Sequence, residues 1–185
     1  MGTDIHQINL MIDGATLLKR RPDGATLKPY DVSGETRFGE GFSSAYLEEL
    51  CPGRDYDLFG VLAGVRCTRF QITRNVGYGI PDEVPDSVRG ALEDKGLMLH
   101  DFVWYRLGDL KAELEWAMEK VQMYATARAN TDPEFIAEGG VDELHWLLRS
   151  IGNCVKALDR LEARLKAEGR AADFAVSKVL FFFDS

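Results

Sequence analysis

A chain of 185 residues with 45% hydrophobic and 28% charged side chains has the balance of a packed globular protein, and it excludes a long disordered chain. A formal net charge of -8 sets the average surface against phosphate, so duplex binding requires a local basic stripe that the linear sequence does not display. Cys51, Cys67 and Cys154 are widely spaced and odd in number, which argues against a disulfide framework or zinc ribbon and for reduced, buried thiols.

Alternation between Asp4 and Asp13 predicts a first strand with Asp4, His6, Ile8, Leu10 and Ile12 on one face and Gln7 and Asn9 on the other. Short runs around Leu17 and Leu27 flank Arg21-Pro22-Asp23-Gly24 and suggest a hairpin, and 33–41 reads as loop. Ser43 or Ser44 caps a short helix through Ala45, Leu47 and Leu50 that Pro52-Gly53 stops. A second helix follows in the block from Arg54 to Arg66, where an aspartate suits the N-cap and Leu58, Phe59 and Leu62 have helical spacing. Gly60 and Gly64 would admit a close backbone.

Gly77 to Pro81 reads as loop, and a helix from about Asp86 ends at Gly96. From Leu97 to Arg106, Met98, His100, Phe102 and Trp104 alternate with Leu99, Asp101, Val103 and Tyr105; both sets are apolar enough to require a strand inside the sheet. Two long helices come next, with Leu107, Leu110, Leu114, Ala117, Val121 and Tyr124 on the first and Leu144, Leu148, Ile151, Val155, Leu158 and Leu165 on the second. Pro133 and Gly139-Gly140 separate them, which predicts an antiparallel hairpin, and Gly152 would permit a bend. A final strand, Val176 to Asp184, carries Phe181-Phe182-Phe183 and belongs at the sheet centre. The expected architecture is one α+β domain over 1–185, a mixed or antiparallel sheet covered by helices, with 107–169 as a long helical hairpin inserted in it. No apolar run is long enough to cross a bilayer, and the N-terminus lacks a charged segment followed by a long apolar run, so a cytoplasmic location is expected.

Asp4 and His6 project to the same side of the first strand. They can share a metal or orient a ligand; alternatively, Asp4 only hydrogen-bonds His6. His100 lies on an apolar strand and reads either as a core residue or as a partner of His6, while His145 reads as structural. If their strands pair, His6, His100 and Asp184 gather at one sheet edge and, with Asp4, form a mixed nitrogen and oxygen set for a divalent metal. Arg54, Asp55, Tyr56 and Asp57, followed by Arg66 and Arg69, are the densest hydrogen-bonding cluster. Arginine forks suit phosphate, and a tyrosine suits a base or ribose; the plainer reading is a helix cap with local ion pairs. The chain has no Walker loop, nucleophile elbow or H-E-x-x-H helix, and Gly77-Tyr78-Gly79 does not continue as a dinucleotide fingerprint.

Met1-Gly2-Thr3-Asp4-Ile5-His6, the block Arg54 to Arg66, Gly79-Ile80-Pro81 and Phe181-Phe182-Phe183-Asp184 together resemble small bacteriophage-encoded proteins of undefined activity. That resemblance implies an accessory protein acting in the host bacterial cytoplasm against a defence system. The preferred expectation is a binding protein that sequesters a nucleotide-derived immune signal, with Asp4, His6, Arg54, Tyr56, Arg66 and His100 as ligand contacts, no cofactor and a homo-oligomeric state. One alternative is a metal-dependent phosphodiesterase using Asp4, His6, His100 and Asp184. Another is a direct protein inhibitor of a host factor.

Overall fold

A computed structural model describes residues 5–10, 55–65, 69–82, 84, 89–90, 92–93 and 99–183 of the chain. Strand β1 (Ile5–Leu10) precedes helix α1 (Tyr56–Ala63), the two-residue strand β2 (Gly77–Tyr78) and strand β3 (His100–Arg106). Helix α2 (Leu107–Thr131), the short α3 (Pro133–Ala137) and α4 (Gly140–Ala167) follow. Helix α5 (Ala171–Val176) and strand β4 (Lys178–Phe183) complete the order. The fold is α+β, as its alternation of strand and helix periods predicts.

The four strands form one antiparallel sheet in the order β1-β4-β3-β2. β4 is therefore central, as its apolar residues on both faces require. Val179, Phe181 and Phe183 join Val103 and Tyr105 in the main core against the helices, while Leu180 and Phe182 join Val84 and Leu92 in a smaller cluster on the other face. The strand begins two residues later than Val176, which instead ends α5. The Ser177 N–H bonds the Asp173 carbonyl at 2.8 Å, and Arg170 Nε holds the Asp173 carboxylate at 2.6 Å, closing a helical turn that apolar content alone does not reveal.

Helices α2 and α4 make the antiparallel hairpin, about 37 and 42 Å long at 1.5 Å per residue. Leu110, Leu114, Ala117 and Val121 of α2 meet Leu147, Ile151, Cys154, Leu158 and Leu161 of α4 in the core. The α4 seam is rotated from the expected one: Leu144, Leu148 and Val155 are only half-buried, whereas Leu147, Cys154, Ala157 and Leu161 are buried. Small Cys154 and Ala157 occupy the seam where a reading based on large aliphatics looks past them. α4 continues without interruption through Gly152, and Lys111 bridges the hairpin to Asp159 at 2.6 Å and Glu162 at 2.8 Å. These two carboxylates hold the Lys111 ammonium well above its ordinary pKa, chiefly through their hydrogen bonds.

The expected hairpin around Leu17 and Leu27, the loop at 33–41 and the helix after Ser43 lie outside the described residues. Of the helix expected from Asp86 to Gly96, the described Arg89, Gly90 and Leu92 are helical. Among the described residues, no helix is long and apolar enough to cross a membrane.

Candidate functional site

Helix α1 starts where the sequence places its cap: the Asp55 carboxylate accepts the Leu58 N–H at 3.0 Å. It stops at Gly64, whose φ of 71° is the left-handed conformation that ends helices and whose N–H bonds the Gly60 carbonyl. The requirement at Gly64 is thus chiefly backbone conformation; an added Cβ there would also meet the Gln71 side chain at 2.5 Å. Leu58, Phe59, Val61 and Leu62 bury one side of α1 against the core.

Beside α1 is a cleft of about 640 Å³, within the size range of small-molecule sites. Asp57, Gly60 and Val61 line it from α1, Arg69 and Phe70 from the following segment, and Glu143, Leu144 and Leu147 from α4. Burial raises the Asp57 carboxyl above its ordinary pKa, and the negative charges of Asp55 and Glu143 add to the effect. The side chain is nevertheless exposed at the cleft mouth, so solvent screens much of this. Arg69 donates through Nη1 to the Tyr124 hydroxyl and stacks over that ring at 4.7 Å, which fixes one guanidinium at the rim.

This lining can accept hydrogen bonds through two carboxylates, donate them through one arginine fork, and cover an apolar ring with Phe70, Leu144 and Leu147. A carboxylate suits a ribose diol or an amine, and the fork suits a phosphate.

Tyr56 and His100 sit at opposite ends of an aromatic chain. Tyr56 packs edge-on against Phe59 at 5.5 Å, Phe59 lies 4.9 Å from Phe183, and Phe183 lies 6.4 Å from the His100 ring. Neither Tyr56 nor His100 is among the cleft-lining residues. His100 is half-buried at the start of β3, with Nδ1 2.7 Å from an Asp101 carboxylate oxygen. Asp101 has φ 51° and stands where the β3 register shifts between His100 and Val103, a bulge that re-aims the strand end. The register pairs His6 with Phe182 and His100 with Phe183, successive positions on β4, so these two register positions fall on opposite faces of the sheet.

Asp4, Arg54, Arg66 and Asp184 lie outside the described residues. Among the described residues, no group of three or more His, Cys, Asp or Glu side chains is arranged to hold a metal. His145 is exposed on α4.

Of the cluster singled out in the sequence, Asp57 and Arg69 do come together at the cleft. Glu143, Leu144 and Leu147 join them from α4. Their only linear signal is an acidic first turn on α4 followed by leucines, which is common to amphipathic helices. Tyr124, the partner of Arg69, reads in the sequence only as part of an apolar stripe.

No protein-family model, curated protein or solved structure matches the chain.

Proposed function

We propose that the protein is a phage-encoded accessory protein of the host bacterial cytoplasm that binds and holds a nucleotide-derived immune signal. The observation that carries this reading is the mixed lining of the α1–α4 cleft, which joins Arg69, Asp57 and Glu143 with apolar Phe70, Leu144 and Leu147. A nucleotide offers complementary chemistry to each: a phosphate to Arg69, ribose hydroxyls or an exocyclic amine to the carboxylates, and a base face to the apolar wall. Sequestration needs such complementarity without a catalytic group. The phage setting and the anti-defence role rest on the resemblance of the terminal segments and the Arg54 to Arg66 block.

Within this proposal, Arg54, Arg66, His6 and Asp4 are further ligand contacts drawn from the sequence, while Tyr56 and His100 lie outside the cleft lining. The protein acts as a homo-oligomer, a reading that the individually exposed Trp146, Met123 and Ile136 of the hairpin region support. Light scattering at micromolar concentration reads the oligomeric state directly.

The functional test is calorimetry and native mass spectrometry against cyclic dinucleotides and ADP-ribose derivatives, followed by release of the ligand by heat. Binding at micromolar concentration or tighter is expected, with the ligand recovered intact. Arg69→Ala should weaken it about ten- to a hundredfold, the equivalent of one charged hydrogen bond. Absence of binding across the panel would sink the proposal. Recovery of hydrolysed ligand would replace sequestration with catalysis.

A further inference from the structure

Helix α2 carries Trp116, Lys120, Tyr124 and Arg128 at successive four-residue steps, which places them along one ridge of the helix about 18 Å long. Two more cations reach this ridge from the segment before β2. The Arg74 guanidinium lies 4.9 Å from the Trp116 ring centroid, with Lys120 Nζ at 5.6 Å from the same ring. Arg69 lies 4.7 Å from the Tyr124 centroid, and Arg128 lies 6.0 Å from Tyr124 and 5.0 Å from Phe135. Cations and aromatic rings therefore alternate along a single surface of a protein whose net charge is -8.

These pairs fasten the segment carrying Arg69 and Arg74 to α2 and leave Arg69, Arg74 and Lys120 open to solvent, whereas Nε of Arg128 is buried. Arg69 and Lys120 are exposed, and the Arg74 and Arg128 side chains retain 58% and 42% of their surface. Arg74 is already matched by Glu113 at 2.9 Å and Arg128 by Asp132 at 2.6 Å. Arg69 and Lys120 thus supply the ridge's attraction for anions, while Arg74 contributes a planar guanidinium face. A guanidinium whose inner face lies on a ring still offers its outer face to a nucleobase.

We infer that this ridge docks a single-stranded nucleic acid. Alternating charge and flat surface is the chemistry by which single strands are held without sequence readout, because phosphates take the cations and every base presents a face to stack. A folded acidic partner matches the charge but not the planar surfaces. A duplex keeps its bases inside. The ridge and the nucleotide cleft share Arg69, whereas Trp116, Lys120 and Arg74 stand outside the cleft lining.

The test is fluorescence anisotropy with a dye-labelled oligothymidylate of about 12 nucleotides, within the usual span of such sites, at about 50 mM salt. The full chain should bind it at micromolar concentration and quench tryptophan emission. With two cations acting, affinity should fall about sevenfold on raising salt from about 50 to 200 mM, a logarithmic slope near -1.4. Lys120→Glu should weaken binding at least about tenfold and Lys120→Ala less, with thermal unfolding unchanged in both; one exposed charge should alter stability little. Lys156→Glu, an exposed control on α4, should bind as the parent does. The inference is overturned by any of three results: no binding at low salt, affinity unaffected by Lys120→Glu, or equal affinity for a duplex of the same length. Displacement by polyglutamate as efficient as by unlabelled oligonucleotide at equal charge would likewise overturn it, since charge alone would then account for the binding.

Discussion

The phenolic hydroxyl of Tyr105 on β3 donates a hydrogen bond to the main-chain carbonyl of Leu62 in the last turn of α1. That carbonyl is among the last of its helix, where no intrahelical N–H is available, so a side chain of the sheet completes the helix end. The link also fixes the helix that forms one wall of the cleft. Tyr105→Phe should cost about 0.5–1.5 kcal/mol, read as a lower urea midpoint with an unchanged far-ultraviolet circular dichroism spectrum. A larger loss with altered secondary structure would mean that the hydroxyl does more than cap the helix.

Glu113 is buried on α2 and accepts from Arg74 and from the Asn75 side-chain amide, each at 2.9 Å. Asn75 itself has φ 54°, so the carboxylate secures a turn that few non-glycine residues adopt. Glu113→Ala should destabilise the protein by about 1–3 kcal/mol by stranding both donors. In a cycle with Arg74→Ala the two losses should fall short of additive, because both remove the same contact. Strict additivity would show that the ion pair contributes nothing.

Gly77 is fixed by a neighbour. A Cβ there would lie 1.9 Å from the Trp104 ring, which is itself covered by the Lys178 ammonium at 4.1 Å from the ring centroid. Gly77→Ala should cost about 1–3 kcal/mol and shift tryptophan emission as the ring is displaced. Adding Trp104→Leu should recover part of the loss; no recovery would place the cost in the backbone instead.

Asp57 offers a pH test. Burial first, then Asp55 and Glu143, raise its folded-state pKa above the ordinary 3.8. The folded state therefore binds more protons than the unfolded state just above pH 3.8, and this group's contribution falls as pH rises through its raised pKa. Asp57→Asn should melt higher than the parent at neutral pH and converge with it in strong acid. The difference should be small because the side chain is exposed. Equal melting at both extremes would show that the cleft imposes no cost on the charge.

Much of the architecture is legible from spacing alone. Asp55, Leu58, Phe59 and Leu62 announce α1, and the apolar doublets of β4 announce a central strand, because each signal is local and follows the period of its element. The rotated seam of α4 was less legible, since Cys154 and Ala157 pack closely without advertising hydrophobicity. The cleft was half legible: Asp57 and Arg69 belong to one dense cluster, whereas Glu143 and Leu147 arrive only when the hairpin folds back. The cationic ridge was hidden altogether, because Arg69 and Arg74 stand far along the chain from Lys120 and Arg128 and no linear run of basic residues forms.

The placement of β4 between β1 and β3 governs the order in which the protein can assemble. The hairpin of α2 and α4 uses contacts between segments close in sequence and can form as soon as both helices exist. The sheet has no such freedom: β1 begins at Ile5, and its partner runs from Lys178 to Phe183, so closing it spans almost the whole chain. During synthesis β1 and β3 must wait, their inward edges unsatisfied, until the strand that separates them emerges. In that interval His100 to Arg106 and Ile5 to Leu10 are exposed strands without their main partner, the condition under which chains pair with the wrong neighbour. Helix formation is thus expected to precede the burial of Phe181 and Phe183, with misassembly concentrated in the period before β4 arrives.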